Sequence, residues 1–196
     1  ADNKKSTLNL LSDALSNHGF FVITDHKIPY TLFNEAYKYS EKFFNLDNLV
    51  KTKYSFREHA GARGYTPFGK ETALGETVPD LKEFWHHGPI VDKTFDKRIL
   101  KNIVVSEIDN FNNIFDKLFK EMNSLGLNLL SSISLTLDLP QDYFEQSTKR
   151  GNSLLRLIHY PPSNNENMFR AREHADINLI TLLIGANEPG LEVKDK

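Results

Sequence analysis

The 196-residue chain contains no cysteine. That excludes disulfides, thiolate zinc sites, iron–sulfur clusters and cysteine nucleophiles, and leaves His, Asp, Glu and backbone oxygen as metal donors. Net charge is scarce too: 24 Lys and Arg against 26 Asp and Glu give −2 at pH 7. So small an imbalance provides no broad electrostatic grip on nucleic acid or an anionic membrane. No apolar run approaches the roughly 18 residues that a membrane-spanning helix needs. The opening residues, Ala1-Asp2-Asn3-Lys4-Lys5, are polar and lead into no signal-peptide core. These absences predict a soluble, cytoplasmic protein with neither a nucleic-acid nor a membrane partner. Aromatic residues, by contrast, are plentiful: 14 Phe and 7 Tyr in a 39% hydrophobic composition supply a sizeable core.

Hydrophobic spacing divides the chain into a helical first part and a strand-like end. Leu8, Leu11, Ala14 and Leu15 predict a helix stopped by Gly19, and Phe20 to Thr24 reads as a short buried strand. Leu32, Ala36, Tyr39 and Phe43 predict a second helix, with Thr31 as its N-cap. Loop and extended chain follow around Gly61 to Pro67, Glu76 to Asp80 reads as loop, and Leu81 to Trp85 as a strand. Ile108, Phe111, Phe115, Leu118, Met122, Leu125, Leu129, Ile133 and Leu137 step by three or four and predict one long helix, about residues 104–138. Gly126 lies inside it, and Pro140 ends it. After Gly151 the texture changes: Ser153 to Tyr160, Asn178 to Ile184 and Leu191 to Val193 read as strands, with Ser163 to Asn167 as a loop.

The chemistry concentrates in Arg172-Glu173-His174-Ala175-Asp176-Ile177-Asn178. In extended chain, residues i and i+2 face the same way, so His174 and Asp176 can hold one ion. An imidazole and a carboxylate are two of the three ligands of the 2-His-1-carboxylate triad of non-haem iron(II). Alone, a His-x-Asp triplet is more often a solvated strand edge. By the same parity Arg156, Ile158 and Tyr160 share one strand face, while Leu155, Leu157 and His159 share the other. Arg156 on its face suits a carboxylate, either of a ligand or of the protein. His159 faces away and is not read as a ligand. His86 and His87 are adjacent, so in a strand they point oppositely and do not clamp one ion. Asn178 and Thr181 read as strand-packing or backbone-capping residues.

These motifs together resemble a known family. The runs Leu154 to Pro162, His174 to Leu183 and Pro189 to Val193 are similar to the 2-oxoglutarate/iron(II)-dependent oxygenases of the isopenicillin N synthase-like group. Earlier segments match in the same order: His18 to Pro29, with Lys27 where glycine is commoner, then Phe43 to Leu46, Gly64 to Pro67 and Asp80 to Trp85.

The resemblance implies an α+β chain: a mostly helical N-terminal region with one long helix, residues 1–150, then the first strands of a double-stranded β-helix (jelly roll), residues 151–196. It implies His174 and Asp176 as Fe(II) ligands and Tyr160 as a contact to the co-substrate 2-oxoglutarate. It implies O2 and a small organic substrate as the other reactants, with Arg63, Tyr65 and Arg156 as candidate substrate contacts. A surface loop with one buried Tyr is the plainer reading of the Arg63–Tyr65 segment. The family's third ligand is a histidine several strands downstream, followed by an arginine that grips 2-oxoglutarate. Neither has a counterpart here, nor has the strand that usually precedes the first helix, so a fragment of a longer oxygenase is expected. An iron oxidase that uses no 2-oxoglutarate, and a non-catalytic interaction module, are the alternatives.

Overall fold

Leu32, Ala36, Tyr39 and Phe43 do form one helical stripe. In the computed structural model they lie on α2, Tyr30–Phe44, with Leu32, Ala36 and Phe43 buried. The N-cap is Pro29 rather than Thr31: Pro29 is extended and has no N–H to satisfy, so the helix starts directly after it. The structure describes residues 2–72, 78–162, 170–186 and 188–193, with no account of the side chains of residues 2–4. The loop expected at Ser163 to Asn167, and the first part of that at Glu76 to Asp80, lie outside the described residues. Two compact units are formed, one of residues 1–27, 124–149 and 176–196, the other of residues 28–123 and 150–175. No helix among the described residues is long and apolar enough to cross a membrane.

In the first unit, α1 spans Asp2–Asn17 and ends at Gly19, whose N–H donates to the Ala14 carbonyl (3.0 Å) and whose φ of 79° turns the following chain out of the helix. Phe20 to Thr24 is not a strand: none of the described residues pairs with it, and Val22 is exposed. Nor do Asn178 to Ile184 and Leu191 to Val193 form ladders among the described residues. Yet Ile180, Leu182 and Ile184 are half-covered while Leu179, Thr181 and Leu183 are exposed. The period of two is there without a hydrogen-bonded neighbour. Alternation specifies which side chains face inward, but a strand also needs a partner for its backbone.

In the second unit, β1 (Gly64–Thr66), β2 (Glu83–His87) and β3 (Leu155–His159) form an antiparallel sheet in the order β1-β2-β3. Trp85 lies opposite Tyr65 and Leu157, and His86 opposite Gly64 and Arg156. β2 begins two residues later than the pattern suggested, because Lys82 is turned into ion pairs with Glu71 (2.6 Å) and Asp80 (3.0 Å). Trp85 stacks edge-on against Phe43 (4.9 Å) and Phe111 (5.3 Å), and Phe111 packs on Phe115 (4.7 Å). These rings are the centre of the core. Two short helices, α3 (Asn48–Thr52) and α5 (Glu145–Thr148), complete the described elements with a single 3-10 turn at Arg57–His59.

The long helix, α4, runs Phe111–Thr136 and is shorter than the 104–138 expected. At its start Asn112 accepts from the Val105 N–H (3.0 Å) and donates to the Ile103 carbonyl (2.8 Å), strapping the incoming chain in a non-helical path. Ile108 is buried all the same, in that connection. At its end Asp138 turns left-handed at φ 56°, and the Leu139 N–H closes on the Ser134 carbonyl (2.9 Å), two residues ahead of Pro140. The buried positions also differ from the predicted stripe. Phe111, Phe115 and Leu118 are buried as expected, but further along it is Gly126, Leu130 and Ser134 rather than Leu125, Leu129 and Ile133.

Candidate active site

The sheet separates two polar clusters by side-chain parity. On the core face, Glu83 receives Lys51 Nζ at 2.9 Å, His159 Nδ1 at 2.7 Å and the Tyr65 hydroxyl. Lys51 also donates to the Phe44 carbonyl (3.0 Å), and His159 stacks on the Phe44 ring. Burial pushes the Glu83 carboxyl up, but the bonds from Tyr65, His159 and Lys51 outweigh it and hold the group below the usual range. Tyr65 moves the other way: burial, then the Glu83 carboxylate, raise its hydroxyl. Deeper in this unit His87 is fully buried and donates to Asp116 of α4 (2.7 Å). The two adjacent histidines thus point apart, as parity requires.

On the opposite face Arg156 lies over the Phe84 ring, 4.5 Å from its centroid. Its Nε–H donates to His86 Nε2 (2.7 Å), and Nη2 is 3.3 Å from Glu71. A histidine that accepts at Nε2 carries its proton on Nδ1, and that proton goes to the Gly61 carbonyl. Burial drives His86 down to about 4, so the ring is neutral at pH 7. Glu71 is shared with Lys82, whose ammonium burial lowers but Glu71 and Asp80 raise by more.

His174 and Asp176 are both exposed, in chain that belongs to no ladder among the described residues. His174 Nδ1 donates to the Arg172 carbonyl (2.7 Å). The ring's lone pair therefore falls on Nε2, the arrangement in which a metal-binding imidazole is held by a backbone oxygen. Asp176 accepts from the Thr181 hydroxyl, and Asn178 Nδ2 donates to Thr181 Oγ1 (3.0 Å). Asn178 and Thr181 thus brace the carboxylate instead of packing a strand. Each residue by itself offers a donor of the kind that suits a hard divalent cation such as iron(II). No group of three or more such donors is assembled among the described residues.

Arg63 and Tyr65 are not on a surface loop. Tyr65 is in β1, its hydroxyl on Glu83, and Arg63 is buried, donating to the Ala62 carbonyl (2.7 Å) and Asn152 (2.8 Å). The guanidinium lies where a side chain on Gly88 would be, so the glycine makes room for it. Tyr160 follows β3 directly, half-buried, its carbonyl accepting from Arg170 (3.2 Å). Sequence reasoning missed the Lys51–Glu83–His159 cluster and the His86–Arg156 bond. The signal available was the alternation along Glu83–His87, which puts Glu83 on the same face as Trp85 and His87.

Residues 1–105 match the family described as "non-haem dioxygenase in morphine synthesis N-terminal". The chain belongs to this non-haem dioxygenase family. Among curated relatives it is 33% identical over 194 residues to proline hydroxylase buaE of Petromyces alliaceus. It is 28% identical over 202 residues to the 2-oxoglutarate-dependent dioxygenase frbA of a Dothideomycetidae species. These alignments cover 93% and 95% of the chain but 59% of each relative, so the chain spans about three-fifths of their length. Among solved structures, a 2OG-Fe(II) oxygenase family protein from Caulobacter crescentus superposes with a TM-score of 0.75 at 32% identity, covering 85% of this chain and 55% of that one. Neurospora crassa T7H in complex with alpha-KG shares the fold, with a TM-score of 0.73 at 23% identity over 87% of this chain and 55% of that one.

Proposed function

We propose that this chain is the N-terminal portion of a non-haem Fe(II)- and 2-oxoglutarate-dependent oxygenase of the isopenicillin N synthase-like group, oxidising a small organic substrate. The observation that carries the reading is the His-x-Asp spacing: His174, whose Nδ1 donates to the Arg172 carbonyl, stands two residues from Asp176, a carboxylate braced by Thr181. His174 and Asp176 hold the iron, and a third ligand comes from sequence beyond this chain. Residues 151–196 begin the double-stranded β-helix, and the alternating residues Asn178 to Ile184 pair with its later strands. Bound iron supplies the chemistry that activates O2 at the expense of 2-oxoglutarate. The chain's own residues orient the reactants: Tyr160, at the end of β3, contacts 2-oxoglutarate, and Asp176 offsets the charge of the cation.

The test is anaerobic Fe(II) equilibrium dialysis and succinate release by the longer protein that carries these residues. His174→Ala and Asp176→Ala are each expected to weaken iron binding by more than the about 10–100-fold that outer-shell partners contribute, and to abolish succinate release. Wild-type iron affinity in both variants would overturn the assignment.

A further inference from the structure

Of the five N–H groups of the Arg156 guanidinium, Nε–H is committed to His86, and Nη2 meets Glu71 at the long distance of 3.3 Å. Nη1 has no acceptor among the described residues, and 38% of the side chain is exposed. The group is nevertheless fixed. The Phe84 ring lies beneath it, 4.5 Å from Cζ to the centroid, and His86 holds Nε from the side, so the guanidinium is positioned before any ligand arrives. A pre-oriented fork with an unused edge is the geometry that takes a carboxylate through two parallel hydrogen bonds. Glu71 and Asp80 balance the charges of Arg156 and Lys82, so a ligand carboxylate is held by the unused edge of the fork and not by excess charge.

Next along the same face is Ile158, two residues on, paired with Phe84 across the ladder and 41% exposed. Two residues beyond that is Tyr160. A rise of about 3.4 Å per residue places Ile158 about 7 Å from Arg156 along the strand. A charged end and an apolar middle therefore share one strand face, and Tyr160 follows just past the strand's last residue.

We propose that Arg156 is the substrate-carboxylate anchor, and that the substrate is a small carboxylic acid with an apolar body lying over Ile158 toward Tyr160. This rests on the oxygenase reading only in naming the ligand as substrate; the carboxylate grip itself is independent of iron. The hydrogen bond to His86 also makes the Arg156 Nε–H a resolvable reporter for nitrogen-15 NMR.

The experiment titrates the 196-residue chain, without metal, with phenylacetate, phenylacetamide and 2-oxoglutarate. Phenylacetate is expected to shift the Arg156 Nε–H signal and to saturate, while the neutral amide leaves it in place. Arg156→Gln is expected to weaken phenylacetate binding, followed on the Ile158 methyl signals, by at least about tenfold. Arg156→Lys, which keeps the charge but not the fork, falls between the two, with folding of both variants confirmed by near-UV circular dichroism. His174→Ala is expected to leave the titration unchanged, so a failed iron assignment and a failed anchor are separable. Equal responses to amide and carboxylate, or unaltered binding in Arg156→Gln, would overturn the anchor. Binding of 2-oxoglutarate at least about tenfold tighter than phenylacetate would assign the grip to the co-substrate and overturn the substrate assignment.

Discussion

Gly64 sits at φ 82°, and a methyl group added there would come within 2.4 Å of the Tyr54 carbonyl oxygen and 2.5 Å of Ile103 Cδ1. Backbone strain and backbone collision act together, so Gly64→Ala is expected to cost about 2–4 kcal/mol, read from urea unfolding midpoints. Loss below about 0.5 kcal/mol would mean that β1 can shift away from residue 54. Glu83 presents a different case, because removing its charge leaves Lys51 buried without a counter-ion. Glu83→Gln is expected to cost about 3–5 kcal/mol, and Lys51→Met in the same background to recover part of it. A double variant no more stable than Glu83→Gln alone would argue that packing, not unpaired charge, sets the penalty. Thr181→Val removes the hydroxyl that braces Asp176 while keeping the shape. In the longer protein its expected signature is Fe(II) affinity lowered about 10–100-fold with unchanged unfolding behaviour.

At the scale of elements, α4 has two buried stripes. Phe111, Phe115 and Leu118 serve the aromatic core of one unit. Gly126, Leu130 and Ser134 are buried in the other, where Leu182 Cδ1 lies 3.5 Å from the place a Cβ on Gly126 would take. Steps of four residues advance 400° rather than 360°, so a helix that buries every fourth residue turns its covered face as it goes. The predicted stripe follows the large apolar residues and misses this, because a glycine and a serine give no hydrophobic signal. Phe115→Ala and Leu118→Ala are each expected to lose about 2–5 kcal/mol by denaturant unfolding, since neither cavity can be filled by solvent. Leu129→Ala, on a half-covered position, is expected to lose distinctly less; equal losses at 118 and 129 would restore the single-stripe description.

The molecule as a whole has a built-in sensitivity to acid. The unfolded chain takes up a proton on His86 near its ordinary 6.5, which the folded chain refuses until about 4. Between these values the unfolded state binds more protons, so stability rises with pH through the window and is complete above it. The loss on acidification to about pH 4 amounts to about 3 kcal/mol. Glu83, held below its usual range, adds a further loss beginning under its ordinary 4.5. Urea unfolding at pH 7 and pH 4.5 is expected to show the decline in the wild type and a flatter profile in His86→Gln, which still offers an acceptor to Arg156. Parallel profiles would remove His86 as the source.

Much of this was determined by sequence alone. The period of 3.6 in α2, the parity that sends Leu157 and His159 one way and Arg156 and Ile158 the other, and the opposed His86 and His87 need only local geometry. His174 and Asp176 stand out as a candidate pair from their i, i+2 spacing and from the family resemblance. Tertiary structure decided what these groups meet. Phe20 to Thr24 and Asn178 to Ile184 carry strand-like patterns but no ladder among the described residues, because a strand is defined by a neighbour and not by its own side chains. Arg63 and Tyr65 moved from an expected loop into the interior because Gly88 and Glu83, distant in sequence, offer a space and a carboxylate there. The partners of Glu83 come from α3, β1 and β3, and such long-range pairing of charges leaves no periodic trace in the chain that encodes it.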